Sequence, residues 1–167
     1  MARRRAVVGS AVALALGGCG FALRRTPEMP FRTLALAGFA PASPLAAELR
    51  RSIGGRVAFA DTQEKADVVL RALVDSRERS VVASTAAAQV RQMQLRLRFR
   101  FQIEDAAGRE LTPPTELLLV RDMNYSETAA LAKAQEEEQL YAAMQSDIAQ
   151  QVARRLAQLD PAHVRSS

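Results

Sequence analysis

Leu95-Arg96-Leu97-Arg98-Phe99-Arg100-Phe101-Gln102-Ile103 alternates an apolar side chain with a cationic or amide one through nine residues. Successive side chains of a β-strand point to opposite faces, so one face of this segment is leucine, phenylalanine and isoleucine and the other is arginine and glutamine. Strands of a parallel sheet are buried on both faces and read as unbroken apolar runs, whereas this pattern belongs to an antiparallel sheet with a core on one side only. Such a sheet needs helices to cover its apolar side.

The flanking sequence supplies both partners and cover. Residues 66–83 (ADVVLRALVDSRERSVVA) are rich in β-branched side chains and predict one long or bulged strand, joined to the alternating segment by a turn through Ser84–Ala88. Asp105–Arg109, with Gly108, turns the chain again. Leu111–Met123 returns as a strand with Pro113-Pro114 near its start, where a missing ladder donor does least harm. Ser126 then reads as the cap of a long helix from about Glu127 to Leu159, in which Tyr141, Met144, Ile148, Val152, Leu156 and Leu159 step by three and four into one stripe. Glu136, Glu137 and Glu138 in its first half and Arg154 and Arg155 near its end suit the helix dipole.

On the N-terminal side, Phe31–Ala37 predicts a first strand. Ser43-Pro44 then opens a short helix with a side-chain acceptor at N-cap and proline at N1. Leu45, Leu49 and Ile53 share one face of that helix, and Gly54-Gly55 stops it. Val57-Ala58-Phe59 is long enough for a brief strand. The expectation is an α+β fold: a single domain over residues 31–160, with an about four-stranded, mostly antiparallel sheet and two helices packed on one face. Residues 161–167 are expected to form a flexible tail.

Ahead of the domain, Arg3, Arg4 and Arg5 precede an apolar run, Ala6–Leu16, that is too short to span a bilayer and reads as a secretory signal over residues 1–18. Leu16-Gly17-Gly18-Cys19 resembles the bacterial lipoprotein box, in which the cysteine sulfur takes a diacylglycerol, the chain is cut before it and the new amine is acylated. Two or more acyl chains anchor stably where one is marginal. An unmodified lone thiol would be a liability in an oxidising compartment, so Cys19 is the expected lipidation site, with residues 19–30 as a lipidated tether. Glycine rather than aspartate at position 20 resembles the sorting signal for the outer membrane, on its periplasmic side.

Removing the leader takes three arginines, so the net charge falls from +5 to +2 on 149 residues. That balance, with an extracytoplasmic address, argues against nucleic acid as a partner. Catalytic chemistry is poorly provided for: the sole histidine, His163, lies in the expected tail and the sole cysteine is the anchor. No Cys/His spacing suggests a metal, Glu136–Glu138 lack an oxygen-rich loop around them and read as a solvated face, and no cofactor is expected beyond the covalent lipid on Cys19. The chain is therefore expected not to be an enzyme. Its most informative surface is the ladder Arg96, Arg98, Arg100, whose members sit roughly 6.6 to 7 Å apart on one face and repel unless something negative meets them. Asp75, Glu78 and Glu104 are the candidates within the chain. Outside it, a partner protein or an anionic lipid would serve, which makes the ladder either a solvated face with cross-strand ion pairs or a docking face.

With these residues in view, the chain resembles the LptE family of lipopolysaccharide-assembly lipoproteins. The resemblance rests on Gly18-Cys19-Gly20-Phe21 with Leu23-Arg24, on Arg91-Gln92-Met93 opening the alternating strand, and on Ala130-Leu131-Ala132-Lys133 ahead of the acidic cluster. The order of elements matches as well. The resemblance implies a plug inside the barrel of the outer-membrane translocon LptD, which helps that barrel assemble and binds lipopolysaccharide on its way to the cell surface. It also implies that Lys133 meets lipid A phosphates, the alternative being a solvated helix lysine. The family's other basic contact falls near the hairpin tip, where this sequence has uncharged Ser84. Either Arg77, Arg79 or Arg91 supplies that cation or the lipid is bound differently. An arginine-faced sheet would suit the polar lumen of a barrel. The other functional class in play is an auxiliary lipoprotein of a lipid or solvent-export transporter, acting as a periplasmic binding component.

Overall fold

The alternating segment lies within a strand of fifteen residues, β4 (Val90–Glu104), in the computed structural model, which describes residues 28–84 and 90–165. The leader, Cys19, the tether up to residue 27 and the turn residues 85–88 lie outside the described residues. Leu95, Leu97 and Phe99 are fully buried and Phe101 and Ile103 nearly so, while Arg96, Arg98 and Arg100 between them are exposed. The period of two is thus realised side chain by side chain.

Pairing extends the sheet on both sides of β4. β3 (Val68–Ser84) and β5 (Glu110–Asn124) run antiparallel to it along most of their lengths. β1 (Thr33–Ala37) lies beside β3 and β2 (Ala58–Phe59) beside β1, both in parallel register. The order is β2-β1-β3-β4-β5, so the sheet has five strands and is mixed. The expected count of about four is short by the two-residue β2. Its parallel sense follows from the helix between β1 and β2, which carries the chain back before it pairs. The two long antiparallel hairpins still hold most of the sheet, and the single-domain α+β class stands.

The helices cover one face. α1 (Pro44–Ile53) begins as its sequence dictates: the Ser43 hydroxyl accepts the Ala46 N–H at 3.1 Å, and proline occupies the first turn. Leu45, Leu49 and Ile53 are fully buried. α2 (Ala130–Ala157) lays Tyr141, Met144, Ile148, Val152 and Leu156 across the sheet, and Leu159 just beyond it closes the stripe. Ser126 does not cap this helix. Its hydroxyl pairs with that of Thr128 at 2.9 Å, and a 3-10 turn over Glu127–Ala129 precedes the first α-helical residue. Residues 161–165, expected to be tail, form a helical turn, α3 (Pro161–Arg165), whose Val164 is buried against the core.

One irregularity in β3 decides where its charged residues go. The register against β4 slips between Ala72 and Val74, leaving Leu73 as the extra residue of a bulge, 41% exposed. Before the bulge, Val68, Leu70 and Ala72 face the core; beyond it the helix-facing positions are Asp75, Arg77 and Arg79, opposite Phe99, Leu97 and Leu95. A one-residue slip sends every later side chain to the other face. Gly38 at the end of β1 packs onto this point with φ +75°, and a Cβ there would stand 2.3 Å from the Ala72 carbonyl oxygen, so only glycine fits.

The parallel edge is pinned by Asp67, whose carboxylate accepts the Arg32 and Thr33 N–H groups at 2.8 and 2.9 Å. Partial burial pushes this carboxyl up, but the backbone donors outweigh it and hold it below its ordinary value. A carboxylate with a depressed folded pKa stabilises the fold above its unfolded pKa, and that stability is lost as pH falls through the folded value. Asp67→Ala is therefore expected to cost about 1 kcal/mol at pH 7, kept small by solvent exposure, with the gap to wild type closing below about pH 4. Urea unfolding at pH 7 and pH 3 checks this; a constant gap would contradict it.

Candidate functional site

The apolar core does not extend the full length of the sheet. From the level of Leu97 and Leu95 on toward Ser84, the helix-facing positions of β3 are no longer apolar, and the first half of α2 lies against them. In this stretch the seam between helix and sheet is ionic. Arg77 Nη1 reaches Glu138 Oε1 at 3.1 Å, Arg79 Nη1 reaches Glu137 Oε2 at 3.0 Å, and Lys133 Nζ reaches Glu136 Oε2 at 2.7 Å within the helix. Glu136–Glu138 are thus the counter-ions of the seam and not merely a solvated face. Their role is hidden in the sequence, which predicts a long or bulged strand here but not the position of the bulge that aims Arg77 and Arg79 at the helix.

Arg77 is the most constrained of the three cations. Its guanidinium stands 4.9 Å from the centre of the Tyr141 ring, a cation–π distance, and the Tyr141 hydroxyl donates to the Glu78 carbonyl at 2.7 Å. Burial raises the Tyr141 phenol pKa, with the Glu137 charge adding to the effect. Arg77 Nη2 is buried and, among the described residues, has no hydrogen-bond acceptor. The structure therefore sets Arg77 and Arg79 of β3 and Lys133 of the helix itself against three consecutive helix carboxylates. Arg91 lies in β4, with its side chain outside the described residues. Ser84 is the exposed last residue of β3 at the same end. This end lies opposite the one where β1 and β3 both start and Leu34 pairs with Val68.

The Arg96, Arg98, Arg100 ladder occupies the other face of the sheet, away from both helices. None of the three expected counter-ions hydrogen-bonds it. Asp75 sits opposite Phe99 on the helix side and accepts the Ser43 hydroxyl at 2.6 Å. Glu104 binds Arg71 at 2.9 Å. Glu78 lies opposite Arg96 and acts on Arg98 only through its charge. The partner is Glu116 of β5, 2.9 Å from Arg98, and this hydrogen bond is the main cause of the raised Arg98 pKa and the lowered Glu116 pKa. Arg96 Nε donates to Gln94 Oε1 at 2.9 Å. The Asp105–Arg109 turn, expected from the sequence, brings β5 alongside, but its register also depends on the slip beyond Phe101, which no local pattern marks. Leu118 and Val120, opposite Arg98 and Arg96, add aliphatic surface 53% and 38% exposed to the same face.

Chemically, the first site is a set of cations paired with carboxylates, and the second a mixed cationic and aliphatic surface shared by β4 and the edge strand β5. Among the described residues no group of three or more His, Cys, Asp or Glu could hold a metal ion, and no helix is long and apolar enough to cross a membrane. His163 lies in α3, its side chain outside the described residues.

A family model described as "LptE: Lipopolysaccharide-assembly" matches residues 31–156. Among solved structures, the chain is similar to an uncharacterized lipoprotein B from Nitrosomonas europaea, 30% identical, with a TM-score of 0.70 over 83% of this chain and 90% of that one. It is similar also to a minor lipoprotein from Acinetobacter baumannii at 26% identity and TM-score 0.63, over 76% of this chain and 91% of that one. The rare lipoprotein B from Shewanella oneidensis shares the fold at 24% identity and TM-score 0.60, over 75% and 94% of the two chains. No curated protein matches.

Proposed function

The chain belongs to the LptE family of lipopolysaccharide-assembly proteins, and on that premise we propose that it is a non-enzymatic outer-membrane lipoprotein, anchored through Cys19, that plugs and helps assemble an LptD-type barrel and binds lipopolysaccharide in transit. The observation that carries the lipid-binding part is that Lys133, Arg77 and Arg79 are held by three consecutive carboxylates of one helix, toward the end of the sheet opposite the start of β1 and β3. Ammonium and guanidinium groups are the donors that phosphates select, and the planar guanidinium fork engages two phosphate oxygens at once. The outer sheet face supports the plug part, since its exposed arginines suit contact with a polar barrel lumen.

Lys133→Glu tests the lipid site. It removes one cation and sets a new carboxylate one turn from Glu136 and Glu137. The expected result is a roughly tenfold or greater loss of affinity for purified lipopolysaccharide, as the charge reversal turns attraction into repulsion at short range. Unchanged affinity in a folded variant would remove Lys133 from the site.

A further inference from the structure

We propose that Glu136, Glu137 and Glu138 act as an internal substitute for the anionic headgroup: they hold the three seam cations in a self-neutralised state, and a phosphorylated lipid binds by displacing them. This rests on the lipopolysaccharide-binding reading above and adds to it a competition built into the protein.

The pairing is one to one. Three consecutive helical residues point about 100° apart, so a single neighbour ordinarily meets only one of them. Here each finds a different cation, because Lys133 lies one turn back on α2 while Arg79 and Arg77 come from β3. The three bonds are also open to exchange. The Glu138 side chain is 68% exposed and that of Arg79 56%, and ion pairs that reach water are weak and easily traded. A phosphate monoester carries up to about two negative charges and three acceptor oxygens, against one charge and two oxygens for a carboxylate. The closed seam also leaves bonding capacity unused, since Arg77 Nη2 is buried without an acceptor among the described residues. Buried donors without partners are uncommon, and here a phosphate oxygen would complete the set. Tyr141 keeps Arg77 in place while the carboxylate is exchanged, because its ring contact and its bond to the Glu78 carbonyl do not involve Glu138.

The test compares wild type with E136Q/E137Q/E138Q for binding to purified lipopolysaccharide. Glutamine keeps nearly the same shape and helix propensity while removing the charge. The charge-matched control D61N/E110Q/D122N neutralises three exposed carboxylates elsewhere on the domain. The seam variant is expected to bind roughly three- to thirtyfold more tightly, with the control within about twofold of wild type. Equal or weaker binding by the seam variant, or an equal gain in the control, overturns the competition while wild-type binding leaves the lipid reading in place. If neither wild type nor variant binds, the lipid reading fails and the competition with it. Should the triple variant lose helix content, E137Q and E138Q singly are each expected to give part of the gain, and weaker binding by both would overturn the proposal.

Discussion

Replacing Phe99 with alanine is expected to lower the stability of the domain by about 3 to 5 kcal/mol, a large share of the roughly 5 to 15 kcal/mol typical of a domain. Phe99 is fully buried and packs between two other rings, with centroids 5.7 Å away at Phe39 and 5.0 Å away at Phe101. Truncation removes contacts on both sides, and β4 lies between two strands whose pairing limits how far the cavity can collapse. One position along, Arg100→Ala faces the other way and is expected to leave the denaturation midpoint nearly unchanged. Guanidinium titration of the two variants reads both faces of one strand. Equal losses would contradict the two-faced strand from which the fold was read.

The second large effect concerns association. Arg98→Glu breaks the hydrogen bond to Glu116 and places two carboxylates together at the middle of the outer sheet face, beside exposed Leu118. If that face meets a barrel wall, a like-charge pair there cannot be relieved by water, and mismatched charges at an interface cost far more than at a free surface. Co-purification of the barrel is expected to fall at least tenfold, while the isolated variant unfolds close to wild type, since exposed pairs contribute little. Wild-type recovery of the barrel with Arg98→Glu would mean that the ladder is only a solvated face.

Elements specified by local chemistry could be read directly from the chain. The alternation of β4, the Ser43-Pro44 start of α1 and the apolar stripe of α2 depend on neighbours within a few residues, and each lies where its pattern predicts. Features that depend on register could not. The slip at Leu73 turns Arg77 and Arg79 toward α2; the sequence admits a bulged strand here, but no residue marks where the bulge falls. The same slip separates two groups of arginines that look equivalent in sequence: Arg77 and Arg79 belong to the ionic seam, Arg96, Arg98 and Arg100 to the opposite face. Glu116 as partner of Arg98, and the three glutamates as partners of the seam, follow from pairings between segments far apart in the chain. Likewise, the parallel sense of β1 and β2 leaves no mark on short segments whose side-chain alternation is the same in either direction. Cys19, the anchor of the functional account, was legible only as a motif and lies outside the described residues.

The most direct test of the account is recovery of partners from outer membranes using the acylated chain, with Cys19→Ala run in parallel. An LptD-type barrel co-purifying with the acylated protein is the predicted result. Recovery of an inner-membrane transporter instead, or of no barrel with either form, would contradict it.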